Sequence, residues 1–480
     1  MLSKCLTRFK NIPLEARVSM AYAICSILQN CLGFITLPIF TRIMTTEQFG
    51  QFTIYSSWSA ILVIFITLNL PYGSFSTAMV KFEDKRDEYI ASAEAICLSF
   101  AALFFAIYLP FRKYWNNLFE LPTLFIIIMV FELLANAGIM FWNGKQRFEY
   151  KYKAFIVVTL FNSLLAPILA YVLVTNTEDK GYARIIGYSS VTIVVGGIIF
   201  LGNLVKGKKL FNKEFWKYAL GFNLPLVCYY LSQVIFNQSD RIMIDHYYGK
   251  SEAAIYGVAY TLAMILTFVL NAINNSYVPW FYGKIKEGKK EENKSISCMI
   301  SILMAFLLSG VIWLAPEIVL LMGGKQYAQA IWIVPPVAVS VLLLFYSQLF
   351  INVEFYFEKK GHLVGASIFS AILNIVLNAI FIPTVGYVAA GYTTLVSYIV
   401  FVVANYIAMK KVLKDEKEEN NAYDIKFLVI IFVVFLALSG LALVLYNHIV
   451  IRYIVIVVVL LGVAVNFKRI FSYVNMIRNK

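Results

Sequence analysis

Long apolar runs separated by short polar segments occupy most of the chain. A membrane-spanning helix needs about 20 predominantly apolar residues, and a scan for such runs predicts fourteen helices. The runs are continuous, without the alternation of apolar and polar residues that a membrane β-barrel requires. The predicted fold is therefore all-α, that of a polytopic membrane protein. The predicted helices cover residues 18–40, 51–70, 90–109, 123–142, 154–175, 185–204, 218–238, 255–278, 296–314, 328–351, 363–382, 389–408, 427–446 and 449–466.

The predicted helices divide into two groups of six and a final pair. We expect an N-terminal six-helix lobe over residues 1–210, a C-terminal six-helix lobe over 211–412, and a segment over 413–480 with a polar linker, helices 13 and 14 and a tail. The turn between the last two runs is so short that a single re-entrant hairpin stays an alternative. If both lobes begin on the same side, they are pseudo-symmetric parallel repeats related by an axis along the membrane normal.

Composition and charge place these helices in a membrane and orient them. Apolar residues make up 60% of the 480 and charged residues only 14%, against about 25% in soluble domains. On the side of the N-terminus, tails and loops carry 32 of the 41 Lys and Arg residues, and the opposite side carries 9. Since positive loops stay in the cytoplasm during insertion, we expect both termini to be cytoplasmic. The net charge of +14 then indicates contact with anionic lipids and not with nucleic acid.

Residues that carry chemistry do not cluster in the sequence. The six cysteines are scattered without a C-x-x-C pair and the three histidines are far apart, so we expect no metal site. The sequence has no phosphate-binding glycine loop, nucleophile elbow or paired-carboxylate motif. It therefore predicts a protein that is not an enzyme and has no cofactor, with coupling to H⁺ or Na⁺ left open.

Two stretches of the sequence, residues 41–52 and residues 239–260, echo each other. An Arg-Ile-Met sequence occurs in both, and Arg42 lies 25 residues after Arg17 as Arg241 lies 24 residues after Lys217. At about 1.5 Å per helical residue, both arginines are expected roughly 36 Å from the starting side, at the far interface. The equal depth supports two related halves.

A third block completes a family resemblance. Residues 358–361 form a Lys-rich turn, Asn374 and Asn378 form an Asn-x-x-x-Asn pair, and residues 382–391 contain Pro-x-x-Gly. Together with the two echoing stretches, this block resembles polysaccharide or O-antigen repeat-unit (Wzx-like) flippases of the multidrug/oligosaccharidyl-lipid/polysaccharide (MOP) exporter superfamily. Only these three blocks carry the resemblance as motifs.

The resemblance implies a function. Such proteins move undecaprenyl-diphosphate-linked oligosaccharides across the bacterial cytoplasmic (inner) membrane by alternating access between two lobes, for O-antigen, lipopolysaccharide or capsule. The implied partners are a lipid-linked oligosaccharide and membrane lipids, and contacts with other membrane proteins of polysaccharide assembly stay open. The alternatives are a drug/cation antiporter of the same superfamily and a membrane glycan polymerase or glycosyltransferase.

Arg42 and Arg241 are the candidate ligands of the diphosphate. The planar guanidinium group matches phosphate oxygens, and two arginines across a cleft could bind a diphosphate from both lobes. The alternatives are an interfacial arginine that reaches the headgroups and, for Arg241, an ion pair with Asp240.

Glu132 is the candidate coupling residue, with Asp240 as a second. Glu132 lies about nine residues into the fourth predicted helix, and Asn136 follows on the same helical face. A carboxyl group at that depth should face the bundle interior. It could bind a coupling ion or simply accept a hydrogen bond from another helix.

Two amide pairs are candidates for binding sugar hydroxyls. Asn374 and Asn378, and likewise Gln233 and Asn237, are spaced four residues apart, so each pair lies on one helical face. Amides donate and accept hydrogen bonds, as sugar recognition requires. The alternative is packing between helices, which polar residues commonly stabilise in membranes.

Overall fold

The structure is a computed structural model that describes residues 14–359, 361–416, 422–458 and 461. Residues 1–13 with Cys5, Lys360 of the Lys-rich turn, residues 417–421 of the polar linker, and the end of predicted helix 14 with the C-terminal tail lie outside the described residues. Within the described ranges the secondary structure is helical, without strands.

The chain divides into two compact units, Met1–Ala254 and Ile255–Lys480. The helices of the N-terminal unit are α1 (Leu14–Ile43), α2 (Thr46–Thr67), α3 (Phe75–Lys81), α4 (Arg86–Tyr108), α5 (Arg112–Phe119), α6 (Thr123–Phe148), α7 (Tyr152–Thr175), α8 (Lys180–Gly207), α9 (Lys213–Asn223) and α10 (Val227–Tyr248). Helix α11 (Lys250–Ala263) crosses the division. The helices of the C-terminal unit are α12 (Thr267–Lys286), α13 (Lys290–Trp313), α14 (Ala315–Met322), α15 (Val334–Tyr356), α16 (Gly361–Val385), α17 (Ala389–Asp415), α18 (Ile425–Leu445) and α19 (Ile449–Val458).

In the described part of the chain, 13 helices are long and apolar enough to cross a membrane. They correspond to the first thirteen predicted runs, which confirms an all-α, multi-pass membrane protein. The seventh run belongs to a longer span, Lys213–Tyr248, which a 3₁₀ turn at Leu224–Leu226 interrupts. Pro225 explains the interruption, because its ring removes an N–H donor and clashes with the preceding turn. The eighth run lies in Lys250–Lys286, which is interrupted at Met264–Leu266 without a proline.

The division after Ala254 keeps the whole span Lys213–Tyr248 in the N-terminal unit. Helix α10 of this span packs along α2. The lobes over residues 1–210 and 211–412, and their pseudo-symmetry, stay predictions.

Helix α8 is the central helix of the N-terminal unit and contacts α2, α4, α6 and α7. Its glycines make room for the neighbouring backbones. A Cβ atom at Gly187 would lie 2.3 Å from the Cα of Ala170 in α7, and one at Gly196 would lie 2.4 Å from the carbonyl oxygen of Ala135 in α6. In lipid, small residues stabilise helix pairs by letting backbones approach closely. The glycines of α8 therefore determine how closely α6 and α7 pack against it.

The start of α18 is fixed in the C-terminal unit by the end of the polar linker. Asn293 donates to the carbonyl oxygen of Ala422 at 2.5 Å, and the Tyr423 hydroxyl donates to the carbonyl oxygen of Leu349 at 2.8 Å. The ring of Tyr423 stacks on Phe281, with centroids 5.7 Å apart. These contacts tie α18 to α12, α13 and α15.

A buried arginine fixes the turn between α18 and α19. Arg452 is fully buried and forms an ion pair with Glu317 of α14, which also accepts a hydrogen bond from the Tyr453 hydroxyl at 2.9 Å. The Tyr446 hydroxyl donates to the carbonyl oxygen of Ile312 at 2.7 Å. The described part of the final helix pair is therefore an integral part of the C-terminal unit.

The glycines of α8 provide a matched test of this packing. Gly196→Ala should lower the thermal unfolding midpoint in detergent, because its methyl group must displace backbone; overpacking typically costs about 1–3 kcal/mol. Gly197→Ala is the control, since nothing lies within 4 Å of its Cβ position. Equal midpoints for the two variants would contradict the close contact between α6 and α8.

Candidate functional site in the N-terminal unit

A cavity of about 300 Å³ lies between α2, α6 and α8. Its polar lining consists of Tyr55, Ser56, Ser59, Glu132, Asn136 and Ser189. The predicted helical face with Glu132 and Asn136 therefore points into a cavity within the unit. The neighbouring lining residues Phe52 and Tyr188 are aromatic, with ring centroids 5.5 Å apart.

Glu132 is held by two hydroxyl groups from two other helices. The Tyr55 hydroxyl of α2 donates to Glu132 Oε2 at 2.6 Å, and Ser189 Oγ of α8 donates to the same oxygen at 2.6 Å. The two hydroxyl oxygens are themselves 3.2 Å apart. No Lys or Arg of the described residues forms an ion pair with Glu132. The cavity thus contains a carboxyl group that is hydrogen-bonded and has no cationic partner.

Helix α2, which carries Tyr55, is positioned by its N-terminus. Thr45 and Gln48 form a capping box, with hydrogen bonds of 3.2 Å to the Thr45 hydroxyl and 3.1 Å to the Gln48 side chain. The amide of Gln48 also donates to the carbonyl oxygen of Glu178, just before α8, at 3.1 Å. A capping box satisfies two N–H groups that a helix start leaves unpaired. The hydrogen bond from Gln48 to Glu178 then connects the start of α2 to the start of α8.

The two echoing stretches of the sequence contact each other in the N-terminal unit. A Cβ atom at Gly50 would lie 2.0 Å from the carbonyl oxygen of Lys250, and the hydroxyl oxygens of Thr46 and Ser251 are 2.6 Å apart. The sequence predicted a relationship between the stretches but not this contact. Gly50 is the residue that could have indicated the contact from the sequence, because only glycine allows another backbone to approach so closely.

Arg241 and Arg42 both lie in the N-terminal compact unit. Arg241 is buried, and its Nη1 donates to Gln238 Oε1 at 2.5 Å and to the carbonyl oxygen of Asn237 at 3.2 Å. Ser57 of α2 donates to the same Gln238 oxygen at 3.2 Å. Arg42 is exposed in the last turn of α1, and Asp240 is fully buried. Diphosphate binding by the arginines and ion coupling by Asp240 stay predictions.

The four amides of the two pairs are not among the residues that line the cavity at Glu132. Asn374 and Asn378 are fully buried between α16 and α17, where Asn378 donates to Asn374 at 3.2 Å and Asn374 donates to Thr394 at 3.4 Å. Thr393 donates to Asn378. These contacts agree with the packing alternative, and sugar binding stays a prediction. Gln233 and Asn237 are half-buried on α10, where the Asn237 amide donates to the Gln233 carbonyl oxygen at 2.7 Å.

The N-terminal unit also buries charged groups that are not among the predicted site residues, and Arg184 and Glu94 are two of them. Arg184 is 5% exposed, and its guanidinium carbon lies 3.8 Å from the ring centroid of Phe52 and 4.3 Å from that of Phe40. Glu94 is fully buried and accepts a hydrogen bond from Asn203 at 2.8 Å. Arg184 was missed because α8 begins at Lys180, five residues before the predicted start at residue 185.

Comparisons with known proteins place the chain among membrane proteins. A family model described as polysaccharide biosynthesis protein matches residues 17–283. A protein of Haemophilus influenzae named an uncharacterized membrane protein is 23% identical over 363 residues, which cover 74% of this chain and 87% of that protein.

Two solved structures share the fold. One is an inward-facing multidrug resistance MATE family transporter of the MOP superfamily, with a TM-score of 0.65 and 14% identity over 82% of this chain and 96% of that one. The other is the lipid II flippase MurJ in an inward closed conformation, with a TM-score of 0.62 and 15% identity over 91% of this chain and 100% of that one. The predicted fold is confirmed as that of MOP-superfamily transporters.

The contact between the echoing stretches can be tested by cross-linking. Thr46→Cys with Ser251→Cys, in a chain whose six native cysteines are replaced, should form a disulfide under mild oxidation, because the two hydroxyl oxygens are 2.6 Å apart. The yield should fall when Gly50→Leu is added, since its side chain would meet the backbone of Lys250. Gly33→Leu is the control, as nothing lies within 4 Å of its Cβ position. A yield unaffected by Gly50→Leu would contradict the close approach.

Proposed function

We propose a transport function for this chain on the premise that it belongs to the polysaccharide biosynthesis protein family, whose model matches more than half of it. The cargo is a lipid-linked oligosaccharide, carried on undecaprenyl diphosphate across the bacterial cytoplasmic membrane by alternating access, for O-antigen or capsular polysaccharide. The match over residues 17–283 carries the proposal, because it connects polysaccharide assembly to a chain with a transporter fold.

The polarity of this cargo requires a path through the membrane that a multi-helix protein can provide. A diphosphate and a sugar chain cannot cross about 30 Å of hydrocarbon without polar surroundings. Helices can line such a path, since their backbone groups are satisfied within each segment. The likeness to a solved lipid II flippase supports a lipid-linked cargo for this chain, and the surplus of positive charge on one side supports cytoplasmic termini.

Glu132 is the proposed coupling residue. A carboxylate inside a membrane protein is stabilised by bound cations, and this one has hydroxyl partners without a Lys or Arg among the described residues. Binding and release of H⁺ or Na⁺ at Glu132 would change the charge of the cavity between α2, α6 and α8. Such a change can shift a two-state equilibrium only if the two states differ in affinity for the ion.

The decisive experiment asks on which membrane face the lipid-linked repeat unit accumulates when the gene is deleted. Flipping predicts that intact repeat units accumulate on the cytoplasmic face, where a membrane-impermeant glycan-modifying enzyme cannot reach them in intact cells. Accumulation of single units on the outer face would instead identify a polymerase. No accumulation, together with sensitivity to cationic drugs, would identify an antiporter. Both of the latter outcomes overturn the proposal.

Glu132→Gln tests the coupling role. The amide oxygen can still accept hydrogen bonds from Tyr55 and Ser189, but the side chain can no longer change its charge. We expect the increase in flipping rate that an imposed H⁺ or Na⁺ gradient produces in proteoliposomes to fall by about tenfold. A change of this size lies within the range of typical coupling energies.

Glu94→Gln is the matched control for that experiment, because it removes a buried carboxyl group outside the lining of the cavity. It should keep the gradient response. Retention of the full response by Glu132→Gln would exclude Glu132 as the coupling site and leave the transport proposal standing.

A further inference from the structure

A second cavity of the N-terminal unit, about 730 Å³ in volume, lies at the C-terminal end of α6. Its walls come from the start of α1, the segment that joins α2 to α3, the start of α3, and the end of α6. The polar lining consists of Tyr22, Tyr72, Ser76, Asn143, Arg147 and Tyr150. Val18, Pro71, Met140 and Phe148 add apolar surface. The cavity is therefore amphipathic and lies at the end of a membrane-spanning helix.

Arg147 carries the charge of this lining, and no carboxylate of the described residues pairs with it. The nearest acid in sequence, Glu149, is already bound by two lysines, with Lys151 at 2.6 Å and Lys145 at 3.3 Å. Lys145 also pairs with Asp87 at 2.5 Å. The acids of this region are thus neutralised by lysines, and the guanidinium group at the cavity keeps its positive charge unpaired.

The ionisation of Glu149 is consistent with this distribution of charge. Burial on its own would raise the pKa of this carboxyl group. The hydrogen bond from Lys151 and the charge of Lys145 outweigh that effect together and hold the pKa below its usual value. Glu149 therefore stays anionic at neutral pH and stays bound to its lysines.

Tyr22 forms a fixed wall beside Arg147. Its hydroxyl donates to the carbonyl oxygen of Asn143 at 3.1 Å, and its ring stacks on Phe155 with centroids 3.8 Å apart. The guanidinium carbon of Arg147 lies 6.0 Å from the ring centroid of Tyr22. Gly144, also in the lining, leaves room for the ring of Phe75, which would lie 2.3 Å from a Cβ atom at this position. The walls are thus formed by packed aromatic side chains.

The chemistry of this cavity fits one class of ligand. An arginine fork matches phosphate oxygens, the tyrosine hydroxyls can bind glycerol or sugar oxygens, and the apolar walls favour a ligand with a hydrocarbon part. A spanning helix ends at the level of the lipid headgroups. From these features we propose that the cavity binds the phosphate-bearing headgroup of a membrane lipid, with Arg147 as the phosphate ligand.

This proposal does not depend on transport, because it concerns equilibrium binding at one end of the N-terminal unit. The shared chemistry is a phosphate ester on a lipid, and the source is either a phospholipid of the bulk membrane or a polyprenyl diphosphate. If the second source is correct, the site would hold the cargo of the proposed flippase before or after its passage.

Lipid binding by the full chain can be measured by native mass spectrometry after detergent extraction, with three probes added separately. The probes are phosphatidylglycerol, undecaprenyl diphosphate and inorganic pyrophosphate. Arg147→Gln should weaken the binding of at least one of the two lipids by about tenfold, equivalent to about 1.4 kcal/mol. Arg147→Lys should be intermediate, because lysine keeps the charge and loses the fork.

Lys206→Gln is the matched control, since it removes one exposed positive charge near the end of α8 and outside the lining of the cavity. It should leave lipid binding unchanged. Ser76→Trp is a second variant, which places a bulky side chain at an exposed residue of the lining and leaves Arg147 intact; it should also weaken binding. Thermal unfolding midpoints check that each variant is folded.

The outcomes separate the sources. Loss of both lipids assigns a general phosphate headgroup site, and loss of undecaprenyl diphosphate alone assigns a site for the polyprenyl carrier. Equal effects of Arg147→Gln and Lys206→Gln on lipid binding would overturn the proposal. So would pyrophosphate binding as tightly as the lipids, because the site would then recognise phosphate without its lipid. None of these results depends on whether Glu132→Gln changes transport.

Discussion

Hydrocarbon cannot solvate polar groups, and this constraint governs every interaction that shapes the protein. Helical backbones satisfy their own hydrogen bonds, so the remaining polar groups are side chains, which bind either a carbonyl oxygen of their own helix or a group on another helix. Arg452 forms an ion pair with Glu317, and Glu94 accepts a hydrogen bond from Asn203. The Asn374 and Asn378 amides bind each other and α17. In water these contacts would compete with solvent; in lipid they determine which helices pack together.

Close packing of the helices brings these side chains within hydrogen-bonding distance of one another. The glycines of α8 bring α6 and α7 near enough for backbone contact, and Gly50 does the same for the corner between α10 and α11. As a result Tyr55, Glu132 and Ser189, from three helices, meet within hydrogen-bonding distance. The cavity at Glu132 therefore depends on small residues that lie outside it. Substitutions at these glycines should perturb the cavity without changing any group that lines it.

The sequence predicted the helices well, because a continuous apolar run of about 20 residues spans a bilayer as an α-helix. It also placed Glu132 and Asn136 on an inward face by helical spacing. It could not predict the partners Tyr55 and Ser189, 77 and 57 residues away, since contacts between helices depend on their order in space. Buried Arg184 lies one residue before the predicted helix 185–204, and buried Arg452 lies near the start of the predicted helix 449–466, so neither was singled out as an interior charge. The division after Ala254 could not be predicted from the hydropathy pattern either, because that pattern shows where helices lie and not which helices pack together.

Charge pairing distinguishes structural from functional candidates in the N-terminal unit. Lys145, Lys151, Asp87 and Glu149 form ion pairs with one another, so none of them leaves an unbalanced charge. Glu132 has no cation and Arg147 has no carboxylate among the described residues, although each lines a cavity. Glu132 is partly buried, and an unpaired charge at that position is costly for stability unless water or a ligand solvates it. An acid in one cavity and a base in the other would then favour opposite ligands, a small cation within the helices and a phosphate at their end. That separation is what a transporter of an anionic lipid would need if its driving ion and its cargo are to bind without competing.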